Sequence, residues 1–176
     1  MKLRKPLDQG DLDGFCGLYA ISNCVRLLYP QQMDDDASNA LMRVLCTSLT
    51  RWPSIVWDGT EHEDMQLMLH NAGWHCRFKP MSFEWEAPFE HHRVRGWSNF
   101  QDRIEGKIAG DNAFAIVGLS QPWEHWTVAH RFTKRHIILT DSCHVKEIPL
   151  SQCGLSGDPD ATYQFDYKDT FILSRP

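Results

Sequence analysis

Two side chains in this sequence could share a proton and attack a carbon. They are Cys16, in the stretch QGDLDGFCGLY, and His125, which opens the segment HWTVAHRF. The thiolate is the reactive form of cysteine, and a helix N-terminus favours it through unpaired N–H groups and the macrodipole. Leu18, Ile21, Val25 and Leu28 fall at helical spacing, so a helix begins at or beside Cys16 and sets the thiol at that end. Taken alone, Cys16 reads as a buried core thiol, the commonest state of a free cysteine. Its company points to chemistry. His125 follows the apolar run AFAIVGL and the loop SQPWE, at a strand end where a side chain can reach across a cleft, with Thr127 on its face and Trp126 and Val128 on the other. Asp141 ends the next strand. A hairpin turning near Thr133 brings His125 and Asp141 nearly opposite, with Cβ atoms roughly 5 Å apart if they pair directly. An aspartate accepting the Nδ1–H of such a histidine fixes its tautomer and supports the imidazolium. One residue of register would turn Asp141 to the other face. Gln9, seven residues before Cys16, offers an amide that with the Cys16 N–H could hold the charge of a tetrahedral oxygen.

The elements that must position these groups are legible in part. After the Cys16 helix, which Asp13 or Gly14 could cap and Pro30 follows, a second helix is expected over about Asp36–Leu49, led by the acids Asp34 to Asp36. Thr60 and Glu63 form a capping-box pattern for a third, with Met65, Met68, Leu69 and Ala72 as its stripe and Gly73 at its end. Trp74–Phe78 reads as a strand. Residues 81–97 show no period and read as a long loop, rich in aromatics, that is a candidate wall of a cleft. A short helix over about 99–107 follows, with Ser98 and Gln101 as its capping pair. From Asn112 the period becomes that of strands: Ala113–Leu119, His125–Phe132, His136–Thr140 and a last strand at Phe171–Leu173, extended back toward Tyr167. The fold class this predicts is α+β, one domain over residues 1–176, with a helical lobe over about 1–107 and an antiparallel sheet lobe over about 108–176.

Composition narrows the classes of partner. With 42% hydrophobic and 23% charged residues the chain has the makings of a packed core. A net charge of −5, with no basic block beyond MKLRK, argues against nucleic acid as a partner. No stretch approaches the roughly 20 apolar residues of a membrane span, and Asp8, Asp11 and Asp13 interrupt the place of a secretory h-region. A cytoplasmic location is the default expectation, or export as an effector by another route. The six cysteines have no C-x-x-C spacing, and Cys143, His144 and Cys153 form no zinc pattern, so reduced thiols and no metal are expected. Cys24, Cys46 and Cys76 read as core thiols, Cys143 as a strand-end core residue, His62 with Glu63 as a charged first turn, and His130 and His136 as exposed.

The segments QGDLDGFCGLYAISN, EHWTVAH and IILTDS together resemble the papain-like cysteine peptidase superfamily, and the chain is most similar to its compact members: Josephin-type deubiquitinases, bacteriocin-processing peptidase domains and bacterial effector proteases. It departs from the bacteriocin-processing pattern at Phe15, where Asp is common, and from papain and Josephin at Asp141, where they carry Asn. The resemblance implies a helical lobe bearing the Cys16 helix, a sheet lobe bearing His125 and Asp141, and hydrolysis of a peptide or isopeptide bond through an acyl-thioester. In that reading Cys16 attacks, His125 moves the proton, Asp141 orients His125, Gln9 helps form the oxyanion hole, and no metal or organic cofactor is needed. The partner is a protein or peptide substrate. A thiol acyltransferase or transamidase on the same residues, and a catalytically idle domain of this fold that binds protein, are the alternatives.

Overall fold

The computed structural model describes residues 5–9, 14–77 and 80–176. Helix α1 (Cys16–Leu28) lies at the centre, and every one of its residues except Tyr19 is buried. A helix apolar on one stripe would not need this; α1 carries Ser22, Asn23 and Arg26 into the interior, and each is engaged there. The Asn23 amide bonds the backbone of Leu7 in both directions, accepting from its N–H (2.7 Å) and donating to its carbonyl (3.2 Å). Arg26 donates to the Ser38 hydroxyl (2.9 Å) and the Lys5 carbonyl (3.2 Å). The helix thereby straps residues 5–9 along itself, which fixes where Gln9 lies.

Helix α2 (Asp35–Ser48) starts where the acids predict, with the Asp34 side chain accepting from the Ala37 N–H at 2.8 Å. A short helix α3 (Ser54–Asp58), unforeseen in the sequence, leads to α4 (His62–Cys76). The capping box of α4 is Glu61 with Asp64, one residue beyond the expected Thr60 and Glu63. Thr60 is buried against Met65 and Gly17 and is spent on packing. The expected strand at 74–78 is also corrected: Trp74 to Cys76 continue α4, and Phe78 lies outside the described residues. Cys76 extends the buried stripe of Met65, Met68, Leu69 and Ala72 by one more turn, and that burial outweighs the roughly 1 kcal/mol cost of Gly73 within the helix.

Strand β1 (Glu84–Glu86) occupies part of the expected loop; three residues with one half-buried side chain, Trp85, are too few to show a period. Helix α5 (Trp97–Lys107) buries Phe100 and Ile104 as expected, but Ser98 already lies inside it, so the Ser98 and Gln101 pair cannot cap. The sheet strands are β2 (Ala113–Gln121), β3 (His125–Phe132), β4 (His136–Thr140), β5 (Glu147–Pro149), β6 (Cys153–Leu155) and β7 (Tyr163–Ser174). Their order is β1-β7-β2-β3-β4-β5, antiparallel throughout, with β6 added parallel to β7. The fold is thus α+β with helices packed on a seven-stranded sheet. Period-2 alternation serves both faces: Phe114, Ile116, Trp126 and Val128 pack with α1, α2 and α4, whereas Ala115, Val117, Leu119 and Ala129 pack with α5 and Phe89. Helix α5 therefore lies across the sheet from α1. No helix among the described residues is long and apolar enough to cross a membrane.

Two glycines let the start of α1 seat against the α3–α4 connection. A Cβ at Gly17 would lie 2.2 Å from the Thr60 hydroxyl, and one at Gly14 would lie 2.7 Å from the Ile55 carbonyl oxygen and 2.9 Å from the Gly59 nitrogen. The Gly14 neighbours are backbone and cannot swing away. Gly14→Ala should therefore destabilise the protein by about 1–3 kcal/mol. Gly73→Ala, with nothing within 4 Å of the new methyl, should stabilise it by about 0.5–1 kcal/mol. Denaturant midpoints of the two variants, at unchanged slope, check both signs.

Candidate active site

Cys16 is the first residue of α1, 8% exposed. Its N-cap is Phe15, which makes no side-chain cap; Gly14 instead anchors the turn by donating its N–H to the Val56 carbonyl at 2.8 Å, and Asp13 lies outside the described residues. The thiol and His125 line one cleft of about 350 Å³, with Thr60 and His62 on the helical side and Gly118 and Glu124 on the sheet side. None of residues 81–97 belongs to its described lining, so the expectation that this stretch walls the cleft fails; Met81 and Phe83 are buried with the helices and Phe89 beneath α5.

His125 is buried and is held by a side-chain hydrogen bond. Its Nε2 donates to Asp141 Oδ1 at 2.6 Å, and the ring shares the cleft lining with the Cys16 thiol. The sequence expectation had Nδ1 facing the aspartate, and the register explains the reversal. The β3–β4 pairs are Phe132 with Ile137 and Arg131 with Ile138 near the turn, then Ala129 with Leu139 and Val128 with Thr140 beyond a bulge at His130. Continued one step, Asp141 stands opposite Thr127, two residues along from His125. The imidazole spans this longer diagonal with its distal nitrogen. Had the turn's register carried through unbroken, Asp141 would oppose Val128, whose side chain packs among the helices on the other face. The bulge restores the parity. His130, read from the sequence as exposed, is half-buried there, its Nδ1 3.2 Å from the Thr140 hydroxyl.

The Asp141 side chain is completely buried and fully engaged. While Oδ1 faces His125, Oδ2 accepts from the N–H groups of Cys143 (2.8 Å) and Val145 (3.2 Å), closing a turn in which His144 takes a φ of 67°. The donor atoms of His125, Asp141 and Cys143 lie within 4.8 Å of one another, a spacing that could hold a metal ion, but hydrogen bonds already occupy both carboxylate oxygens. Cys143 is exposed, which corrects its reading as a core residue.

Gln9 sits against this same turn. Its N–H donates to the Ser142 carbonyl (3.0 Å), and its Oε1 accepts from the Ser142 hydroxyl (3.2 Å) and the Cys143 thiol (3.7 Å). The structure thus brings Gln9 to the Asp141 end of the site, with its amide oxygen held by Ser142 and Cys143 and the residue outside the described lining of the Cys16 cleft. Trp126 is a core residue that also ties the sheet to the cleft, its indole N–H donating to the Thr60 carbonyl at 2.8 Å. Trp123 is 39% exposed, with its ring 6.4 Å from that of His125. His62 was missed by the sequence reading: its Nδ1 lies 3.0 Å from Asp169 Oδ1 across 107 residues of chain, and no local pattern could have signalled that.

The electrostatics follow from these contacts. Burial alone would lower the His125 pKa, but the hydrogen bonds and charges of Asp141 and Cys16 overcome it and push it from 6.5 up to about 9. Burial alone would raise the Asp141 carboxyl; its bonds to His125 and the Cys143 N–H hold it below its ordinary 3.8. Burial raises the thiols of Cys24, Cys46 and Cys153, the last to about 12.

A histidine whose folded pKa is raised stabilises the fold fully below its unfolded pKa and loses that contribution as pH rises through the folded value. An aspartate with a depressed pKa contributes above its unfolded value. Asp141→Asn should therefore destabilise most between about pH 4 and 6.5, by on the order of a few kcal/mol, and the gap to the parent should shrink as pH rises through about 9. Unfolding free energies of the two proteins across pH 4 to 10 check this. Comparison of the chain with family models, curated proteins and solved structures finds no match.

Proposed function

We propose that the protein is a papain-like thiol hydrolase that cleaves a peptide or isopeptide bond through an acyl-thioester on Cys16. One observation carries the reading: a buried imidazole bonded to a buried carboxylate shares one cleft with a thiol that is the first residue of a helix. The raised pKa of His125 favours the imidazolium at neutral pH, the form that must give up a proton during the reaction.

In this mechanism the Cys16 sulfur attacks the substrate carbonyl carbon. The oxyanion that forms is held by the Cys16 backbone N–H and the Gln9 amide. As the C–N bond breaks, the imidazolium of His125 delivers its proton to the leaving nitrogen, and the acyl group remains on sulfur. Water then gives a proton to neutral His125 and attacks the thioester. The carboxylic acid departs and Cys16 and His125 return to their starting state. Asp141 serves throughout as the positioning residue, because it holds Nε2 and so fixes the imidazole beside the thiol's cleft.

Iodoacetamide at pH 6, followed by peptide mapping, separates catalysis from an idle binding domain. Cys16, though 8% exposed, should be alkylated before the exposed Cys143, and Asp141→Ala should slow its alkylation by at least about tenfold. Labelling of Cys143 ahead of Cys16 would sink the assignment. Turnover of any substrate found with general peptide or ubiquitin-based electrophiles should fall on the alkaline side near pH 9, as His125 loses its proton.

A further inference from the structure

The walls of the Cys16 cleft carry a consistent charge. Besides His125, its described lining includes the carboxylates of Asp58, Glu61, Glu124, Asp166 and Asp169, with His62 as the other basic group and neither lysine nor arginine. Arg51 takes up Glu61 (3.1 Å) and His62 takes up Asp169 (3.0 Å), which still leaves the lining acidic.

The backbone is shaped to bring these acids to the cleft. Between the pairs Val117–Thr170 and Gly118–Asp166, β7 extrudes Tyr167, Lys168 and Asp169. Gly118 lies beneath the extruded turn, and a Cβ there would come within 2.7 Å of the Asp169 Cβ. A glycine in the sheet centre thus permits a carboxylate to fold over the cleft floor. Burial and the neighbouring Asp166 carboxylate hold the Asp169 carboxyl above its ordinary value, so negative charge is concentrated there against resistance. One exposed indole stands beside the cleft: Trp123, 39% exposed, has its ring 6.4 Å from that of His125 and immediately precedes Glu124. Carboxylates beside an open indole match the chemistry of a guanidinium or ammonium group, through charge-assisted hydrogen bonds and cation–π contact.

We propose that the substrate carries an arginine or lysine side chain at the scissile bond, seated against Asp166, Asp169 and Glu124, with Trp123 beside it. This specificity rests on the reading of Cys16 as nucleophile and adds the substrate class to it.

The test uses three tripeptide chloromethyl ketones that differ only in the residue bearing the reactive ketone: arginine, its uncharged isostere citrulline, or glutamate. Iodoacetamide serves as the uncharged small reference, and the adduct is mapped in each case. The arginine reagent should modify Cys16 at least about tenfold faster than the citrulline reagent, and the glutamate reagent slowest. Glu124→Gln, on an exposed loop where folding is not at stake, and Asp169→Asn should each reduce the arginine preference severalfold, and 0.5 M salt should compress it. Equal rates with arginine and citrulline, at a Cys16 that iodoacetamide alkylates selectively, would overturn the cationic-substrate proposal and leave the nucleophile standing. A Cys16 inert to iodoacetamide as well would overturn the nucleophile reading beneath it.

Discussion

A carboxylate sealed from water must be surrounded by donors, and much of this site is the arrangement that surrounds Asp141. Its side chain has no exposure, so His125 and the two N–H groups of the 142–145 turn supply what solvent would have supplied. Those bonds set the orientation of the imidazole at one oxygen and the path of the following turn at the other. Gln9 docks on that turn through Ser142 and Cys143, and the Asn23 and Arg26 side chains hold the preceding residues along α1. One buried charge thereby links the end of the sheet, the N-terminal segment and the central helix.

The same demand constrains the hairpin. A strand pair has two faces, and Asp141 is useful on one of them only. The bulge at His130 is the device that puts it there, at the cost of an unpaired residue within the ladder. A comparable device operates on the other side of the cleft, where β7 extrudes three residues over Gly118. The first irregularity lies in β3, the strand that bears His125, and the second in β7, whose neighbour β2 contributes Gly118 to the cleft. Close seating of α1 on the α3–α4 connection through Gly14 and Gly17 sets the start of the helix at the edge of the cleft.

Legibility in the sequence followed the range of the interaction that decides each feature. The Cys16 helix, the Asp35–Ser48 helix and the strands at 113, 125 and 136 announce themselves through apolar periods that are local. Helix α4 was cut short on paper because Gly73 looks like a stop, whereas Cys76 continues a buried stripe that only packing reveals. Strand β1 is three residues long and exists by pairing with a strand some 90 residues away in sequence, so composition could not signal it. His62 looked like an ordinary first-turn charge, and its partner Asp169 is supplied by the far end of the chain.

For the candidate site, residue type and order in the sequence singled out Cys16, His125, Asp141 and Gln9, because a thiol at a helix start and an imidazole at a strand start are local properties. Tertiary structure decided which nitrogen of His125 faces the carboxylate, that Gln9 belongs to the Asp141 turn, and that the cleft is walled by acids rather than by the aromatic 81–97 stretch. The physical reason is the same in each case: strand parity, a bulge or a close glycine contact moves a side chain by several ångströms or to the opposite face. Those moves depend on which strands pair, a choice made by the whole chain rather than by any segment of it.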